Sequence, residues 1–145
     1  MIGLLQRVSN AAVLVDDTQV AAIDAGLLVL VGIQKDDTKQ RAKKLLERLL
    51  YYRVFADEQG KMNLSLNDCG AGLLLVPQFT LAADTSRGRR PGFQSAADPV
   101  TAKQLFEYLC EEAKSRFSNT KVGVFGADMQ VQLNNDGPVT FWLES

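Results

Sequence analysis

Two threonine hydroxyls and a cluster of arginines are the side chains in this sequence whose positions suggest chemistry. Thr80 follows Pro77 in the run GLLLVPQFTL (72–81), and Thr140 closes the stretch NNDGPVT (134–140). A threonine hydroxyl becomes a nucleophile only beside a group that takes its proton. Because threonine is also a common strand residue, each hydroxyl taken singly is interpreted as structural.

The chain contains no histidine. This excludes serine and cysteine hydrolases with a histidine base, histidine zinc sites and histidine proton shuttles. Two cysteines, Cys69 and Cys110, are too few for a thiolate metal cage, and only an all-carboxylate metal site stays open. We therefore predict neither a metal nor a cofactor, and any proton transfer must use groups other than imidazole.

A basic loop, TSRGRRPGF (85–93), places Arg87, Arg89 and Arg90 among glycine and proline residues. Guanidinium groups bind phosphate through charge-assisted hydrogen bonds, so the loop is a candidate cradle for phosphate or an RNA end. The alternative is a flexible basic loop without a ligand. The pattern alone does not choose between them.

The stretch NNDGPVT joins turn-forming residues to the pair Gly137-Pro138. Glycine is the most permissive backbone position and proline the most restricted, and a bond before proline is where the cis form costs least. The residues predict a turn that leads into a last strand. Both the cis and the trans form remain open.

Length and composition predict one domain over residues 1–145, since 145 residues with 46% hydrophobic content suffice for a substantial core. Sixteen basic and seventeen acidic residues give a net charge of −1, so a polyanion would have to bind a local patch. No leader and no apolar run of membrane length is evident. We expect a cytoplasmic protein with reduced thiols, and neither a membrane nor a DNA partner.

Hydrophobic patterning predicts a mixed α/β fold. Strands are predicted at 2–8 and 11–16 as a hairpin turning at Ser9-Asn10, at 26–33, on both sides of a turn at Gly60, at 72–81, and at 121–127, 129–133 and 138–143. Proline cannot donate to a sheet ladder, so the strand at 72–81 must be irregular or an edge at Pro77. The backbone of 78–80 is then partly free.

Two helices are predicted. The first begins after Asp36, Asp37 or Thr38 and buries Ala42, Leu45, Leu46 and Leu49. Its opposite face is basic, and we interpret it as solvated rather than RNA-binding. The second begins at Asp98-Pro99 and buries Phe106, Leu109, Cys110, Ala113 and Phe117.

Three motifs together resemble the D-aminoacyl-tRNA deacylase family: PQFTL (77–81), ADTSRGRRPGF (83–93) and NNDGPVT (134–140). The family signatures S-Q-F-T and N-x-G-P-V-T occur in order, and the likeness runs from QRVSNAAVLVDD through LVGIQKDDT and KMNLSL to the last strand. Pro77 departs from the family serine, which removes a hydroxyl there. The resemblance implies a homodimer in which mixed β-sheets form a partly barrel-like layer packed by two main helices.

The resemblance also implies an activity, the hydrolysis of the ester between a D-amino acid and the 3′ end of tRNA. Gly137-Pro138 would form a cis peptide that reaches into the partner subunit's site and excludes an L side chain. Such a wall cannot exclude glycine, so Gly-tRNA would also be hydrolysed. The rivals are a nucleic-acid-binding or ligand-binding homodimer without turnover, and a hydrolase of small D-amino-acid esters or amides.

Site roles follow from the same resemblance. Gln78 would orient the substrate, backbone N–H groups around Phe79 and Thr80 would form an oxyanion site, and the terminal 2′-hydroxyl of the tRNA would assist the attack. Because no base is evident near Thr80, we assign that hydroxyl a positioning role. Phe125 and Met129 would lie near the terminal adenine, and Arg87 would bind the tRNA end.

Overall fold

A long first strand organises the fold of the computed structural model, which describes residues 1–145. The elements in chain order are β1 (Ile2–Val15), β2 (Thr18–Ile23), β3 (Gly26–Gly32), α1 (Lys39–Tyr51), β4 (Phe55–Ala56), β5 (Met62–Leu64), α2 (Leu66–Cys69), β6 (Gly72–Pro77), a 3-10 turn (Phe79–Ala82), α3 (Pro99–Arg116), β7 (Thr120–Val122) and β8 (Gln130–Glu144).

The predicted hairpin turn at Ser9-Asn10 is wrong. β1 passes through these two residues, and the chain reverses at Asp16-Asp17 instead, where both residues have positive φ (48° and 60°). Two successive positive φ angles define the type I′ turn that matches the twist of a hairpin, and aspartate tolerates it. Ser9 and Asn10 are exposed, and the register of β1 against β8 shifts beside them. Their polarity therefore marks an irregularity of pairing rather than a turn.

The sheet has the order β2-β1-β3-β6-β7, with β8 on the other side of β1. β3, β6 and β7 run parallel, and β1 is antiparallel to β2, β3 and β8. β2 also lies against β6 and β7, so the sheet curls into a nearly closed, barrel-like layer. The predicted α/β class with a partly barrel-like sheet is confirmed.

The predicted strands near the C-terminus need correction. Of the first run, 121–127, only the first two residues are in a strand, β7, which begins at Thr120. The runs 129–133 and 138–143 belong to one strand, β8, which begins at Gln130. The stretch NNDGPVT is therefore not a turn between two strands. Its residues bulge out of β8 while both flanks stay paired with β1.

Both main helices begin at the predicted caps. Thr38 accepts a hydrogen bond from the N–H of Arg41, and Asp98 accepts from the N–H groups of Val100 and Thr101 with Pro99 in the first helical turn. These side chains satisfy N–H groups that a helix start leaves free. Asp37 serves a different purpose, since its carboxylate binds the Met1 amine and the N–H of Gln34.

The helices cover one face of the sheet and make the main core, which contains the predicted α1 stripe and most of the α3 stripe. Phe117 is the exception, because it caps the end of α3 and is only half-buried. Burial raises the pKa of the Cys110 thiol to about 12. Cys69 is exposed, and both thiols are free.

A second, smaller core fills the inside of the curled sheet. Its buried members are Val8, Ala11, Val13, Ala21, Ile23, Leu28, Leu74 and Val76. The predicted β-turn at Gly60 joins β4 and β5, and Gly60 has a φ of 77°. No helix is both long and apolar enough to cross a membrane.

Candidate active site

The end of β6 opens into a 3-10 turn rather than continuing as a strand to residue 81 as predicted. The N–H of Gln78 still donates to Val31 O (2.7 Å), and the first hydrogen bond of the turn runs from Leu81 N–H to Gln78 O (3.3 Å). The N–H groups of Phe79 and Thr80 precede that bond, so the turn itself gives them no partner. Two adjacent backbone donors are thereby presented beyond the sheet.

Two residues make this turn possible: Pro77, which has no backbone N–H, and Gly32, which has no Cβ. β7 pairs only with Leu73–Leu75, so β6 has a free edge at Pro77, as predicted, and the missing N–H breaks no ladder. Gly32 ends β3, and a Cβ there would lie 2.8 Å from the Cβ of Leu81. The turn can therefore fold directly over the end of β3.

Thr80 is exposed, and its hydroxyl has one hydrogen bond, accepted from the Gln78 side-chain amide (2.6 Å). An amide does not take a proton from an alcohol, and no carboxylate or amine bonds this hydroxyl. The geometry is therefore that of a positioned hydroxyl rather than an activated nucleophile.

An apolar pocket of about 340 Å³ adjoins the turn. It brings together three of the predicted residues, Phe79, Phe125 and Met129, with Pro77, Ala97, Pro99, Ala102, Gly126 and Ala127 completing the wall. Phe125 rests against Phe106 of the main core, with ring centroids 6.0 Å apart. A mostly apolar slot of this kind suits a planar ring, and Phe79, which carries one of the two free N–H groups, forms part of its wall.

A larger depression of about 700 Å³ lies at the opposite end of β3 and β6. Cys69, Asn119 and Lys121 line it together with small apolar residues. None of the predicted site residues is there. Size alone would therefore select a different place from the one where the predicted residues converge.

The bulge in β8 carries the Gly137-Pro138 peptide bond, which is cis. Between Thr140, opposite Gln6, and Asn135, opposite Val8, β8 has more residues than β1 can pair, and the surplus is displaced from the ladder. Gly137 has a φ of 136°, and a Cβ there would lie 2.7 Å from the Val139 Cγ2 atom. Only glycine fits this position.

Two side chains that the sequence analysis did not single out fix the bulge. Arg7 donates from Nε to Asp136 O (3.0 Å) and from Nη1 to Val54 O (2.6 Å). Asn135 accepts from Val139 N–H (2.7 Å) and donates to Thr140 Oγ1 (2.9 Å). The available signals were a charged residue inside the apolar strand IGLLQRV and a hydrogen-bonding side chain at the mouth of the turn-forming stretch.

Comparisons with known proteins identify the family of the chain. The family model described as D-Tyr-tRNA(Tyr) deacylase matches residues 4–144. The chain belongs to this family. A D-aminoacyl-tRNA deacylase of Pseudomonas putida KT2440 is 60% identical over 144 residues, covering 99% of each chain. One of Stutzerimonas stutzeri A1501 is 59% identical over 145 residues, covering all of both.

Two solved structures share the fold. A c-Myc DNA Unwinding Element Binding Protein has 38% identity and a TM-score of 0.96, with 100% of this chain and 99% of that one covered. A probable eukaryotic D-amino acid tRNA deacylase has a TM-score of 0.87 at 18% identity, with 99% and 98% covered. The second likeness shows the fold alone.

Within one chain of this deacylase-family member, the bulge and the pocket do not meet. Gly137-Pro138 lies beside Arg7 on β1, while the pocket lies at the end of β6, and β3 separates β1 from β6. None of the bulge residues lines the pocket. Of the predicted site residues, the structure thus groups Gln78, Phe79, Thr80, Phe125 and Met129, and leaves Gly137 and Pro138 apart.

The basic loop forms a closed hairpin next to the turn. Asp84 and Gly92 exchange two backbone hydrogen bonds (2.7 and 2.9 Å), and Gly88 turns the chain with a φ of 71°. Hydrogen bonds from the Ser86 hydroxyl and N–H hold the pKa of the Asp84 carboxyl below its usual value. Arg87, within this hairpin, is exposed, forms no ion pair and does not line the pocket.

We predict that Asn135 holds the bulge through its carbonyl oxygen. Asn135→Ala removes the acceptor of Val139 N–H, and a lost hydrogen bond of about 0.5–1.5 kcal/mol speeds local amide exchange roughly 2- to 13-fold. Hydrogen–deuterium exchange of a peptide containing 136–139 measures it. Asn135→Asp is the matched control, because it keeps an acceptor for Val139 N–H while it loses the donor to Thr140 and gains a negative charge. Equal acceleration in both variants would contradict the assignment.

Proposed function

We propose that this protein hydrolyses the ester bond of D-aminoacyl-tRNA in the cytoplasm, releasing a free D-amino acid and tRNA. The observation that carries the proposal is the pair of N–H groups at Phe79 and Thr80 beside an aromatic pocket, in a chain of the deacylase family. The pocket would hold the terminal adenine between Phe79, Phe125 and Met129. The ester carbonyl would then lie over the two donors.

The reaction as proposed needs no side-chain base. A water molecule adds to the ester carbonyl, the oxygen of that carbonyl becomes negative, and the two N–H groups stabilise it. The C–O bond to the ribose then breaks and the departing oxygen takes a proton, which the neighbouring 2′-hydroxyl of the ribose relays from the water. Loss of one such donor typically costs about 100- to 1,000-fold in rate, so the donors supply a large share of the catalysis.

Chiral selection would come from the main chain of Gly137-Pro138. Arg7 and Asn135 hold this bulge from both sides, and a fixed backbone cannot rotate away from a side chain as another side chain could. An L side chain would clash with it and a D side chain would point away. The wall thus rejects the wrong substrate without gripping the right one.

The bulge would act on the pocket of a second copy of the chain. Two observations support a homodimer: the bulge is outside its own pocket, and β8 is an edge strand that exposes large apolar side chains at Leu133, Phe141 and Trp142. A two-fold dimer would bring each bulge to the partner's turn, as isologous interfaces place one patch reciprocally on the other.

The primary test compares D-tyrosyl-tRNA with L-tyrosyl-tRNA and with a small D-tyrosine ester. Hydrolysis of D-tyrosyl-tRNA, but not of the other two substrates, supports the proposal. Equal turnover of the small ester would instead identify a general D-amino-acid esterase. Binding of tRNA without release would identify a binding protein.

Glycine should escape the steric filter. A methyl group typically changes discrimination by about 10- to 200-fold, so L-alanyl-tRNA should be cleaved at least about tenfold more slowly than Gly-tRNA, with D-alanyl-tRNA cleaved readily. Deacylation of the three esters on one tRNA measures this. If Gly-tRNA proves as resistant as the L-alanyl ester, the site grips a D side chain and the wall model is wrong.

Thr80→Ala should keep substantial activity, within about tenfold of the wild type, because one hydrogen bond contributes roughly 0.5–1.5 kcal/mol. Single-turnover deacylation of D-tyrosyl-tRNA measures it, with Thr80→Ser as the control that restores the hydroxyl. Complete loss of activity would contradict this positioning role, and a covalent acyl-threonine trapped by acid quench would make Thr80 the nucleophile.

Sharing of the site predicts complementation. Gly137→Ala displaces the bulge and Phe79→Ala damages the pocket, so each homodimer should be inactive. Refolded together in equal amounts, half of the dimers are mixed and hold one intact site of two, which restores about a quarter of wild-type activity. Light scattering of the wild type tests whether the protein is a dimer. No recovery from a mixture shown to contain heterodimers would place bulge and pocket in the same chain's site.

A further inference from the structure

Two exposed aromatic rings extend the apolar pocket toward the basic loop. Phe79 is 61% exposed and Phe93 is 40% exposed, and their ring centroids lie 5.2 Å apart with the planes tilted by 44°. Phe79 lines the pocket, while Phe93 stands outside it at the C-terminal base of the loop. Neither ring belongs to either core. Exposed aromatic faces at this spacing offer a base a surface to stack on.

The arginines of the loop are free, whereas four of the five cations on α1, all but Lys44, are engaged in contacts within the protein. None of Arg87, Arg89 and Arg90 forms an ion pair or a side-chain hydrogen bond, and all are exposed. On α1, Lys39 and Lys43 lie over the Tyr108 ring, and the remaining engaged cations bind acidic groups or carbonyls: Arg41 at Asp37 and Arg48 at Glu144. Free cations are the ones that can neutralise a ligand's charge.

The backbone of the loop that carries these cations is fixed at its base. The two backbone bonds between Asp84 and Gly92 close its base, and Ser95 Oγ donates to Ala82 O behind it, tying the loop to the 3-10 turn. The loop that carries the arginines and Phe93 therefore adjoins the turn that lines the pocket. With a net charge of −1 on the whole chain, attraction for a polyanion is confined to such a patch.

We propose that Phe93, Arg89 and Arg90 bind the single-stranded nucleotides that precede the terminal adenosine of the tRNA. Phe93 stacks on a base, and the two guanidinium groups contact the phosphates on either side of it. The inference rests on the proposed function, because it takes the terminal adenosine to occupy the pocket beside Phe79. Stacking with phosphate contacts tolerates any base sequence, and so suits an end shared by all tRNAs.

The test compares two substrates that differ only in those nucleotides: D-tyrosyl-tRNA and the D-tyrosyl ester of adenosine. Arg89→Ala/Arg90→Ala should lower kcat/KM for the tRNA at least about fivefold more than for the adenosine ester. The slope of log kcat/KM against log salt should become shallower by about 1.4, since each contact to a single strand contributes about 0.7. Lys44→Ala/Lys121→Ala changes the net charge equally, from −1 to −3, and should leave the slope unchanged.

Two substitutions of Phe93 test the stacking contact separately. Phe93→Leu keeps apolar bulk but loses the ring face, and should weaken use of the tRNA about 5- to 150-fold relative to the adenosine ester, the range for one stacked base. Phe93→Tyr should restore it. If Phe93→Leu harms both substrates equally, the ring only supports Phe79 and the proposal is wrong. If the double arginine variant behaves like the lysine control, the proposal is likewise wrong.

A binding measurement separates this proposal from the proposed function. Fluorescence anisotropy with a labelled RNA of sequence ACCA should show weaker binding to Phe93→Leu and Arg89→Ala/Arg90→Ala than to the wild type or the lysine control. If the variants bind this RNA more weakly in this way but the wild type cleaves neither ester, the proposed function is refuted and the RNA contacts of Phe93, Arg89 and Arg90 are supported. If the wild type hydrolyses both esters but all variants bind the RNA equally, the proposed function is supported and these RNA contacts are refuted.

Discussion

The pairing of β8 along nearly the whole of β1 is the constraint on which the site depends. β1 is bound on its other side by β3 in its first half and by β2 in its second half, so it cannot shift in register without exposing buried residues on every neighbour. β8 is therefore fixed at both ends, and its surplus residues have to leave the ladder between Asn135 and Thr140. The bulge arises because the β1–β8 pairings on its two sides differ in register, and a straight strand cannot join them.

That origin explains why the bulge can be both irregular and well fixed. Arg7 lies on the strand that defines the register, and it binds Asp136 on one side and Val54 on the other. Its side chain is only 16% exposed, where a charged hydrogen bond contributes more than at an open surface. Asn135 closes the mouth of the bulge. A displaced backbone held in this way can act as a shaped surface, as side chains do elsewhere.

Local structure could be predicted from the sequence where a residue type has one strong local preference. The cap at Thr38, the start of α3 at Asp98-Pro99, the free edge at Pro77 and the buried run of β3 each follow from a single preference. It was insufficient where partners far along the chain decide. Ser9-Asn10 has the composition of a turn, but simultaneous pairing of β1 with β8 keeps it extended. Arg7 is 129 residues from Asp136, and no local pattern indicates that contact.

The site residues divide in the same way. Gln78, Phe79 and Thr80 are adjacent in the chain, so the motif itself brings them together, while Phe125 and Met129 reach Phe79 only because β6 and the segment after β7 end at the same edge. The sequence shows where the basic residues lie, but it does not show which of them are free of contacts within the protein. Lys39 and Lys43 look equivalent to Arg89 and Arg90 in the sequence, and Tyr108 and Glu112 on α3 set them apart.

In this chain without histidine, the candidate site is built largely from main-chain groups. The two N–H donors of the turn and the bulge of β8 are both main chain, and each exists because a strand ends or departs from its ladder beside a glycine, Gly32 in one case and Gly137 in the other. Backbone donors have no protonation state near neutral pH, so they stabilise negative charge equally over a wide pH range. A wall of backbone likewise has no rotamer to change. A proofreading hydrolase has to spare the abundant correct ester more than it has to be fast, and for that purpose fixed geometry is a stronger safeguard than a reactive side chain.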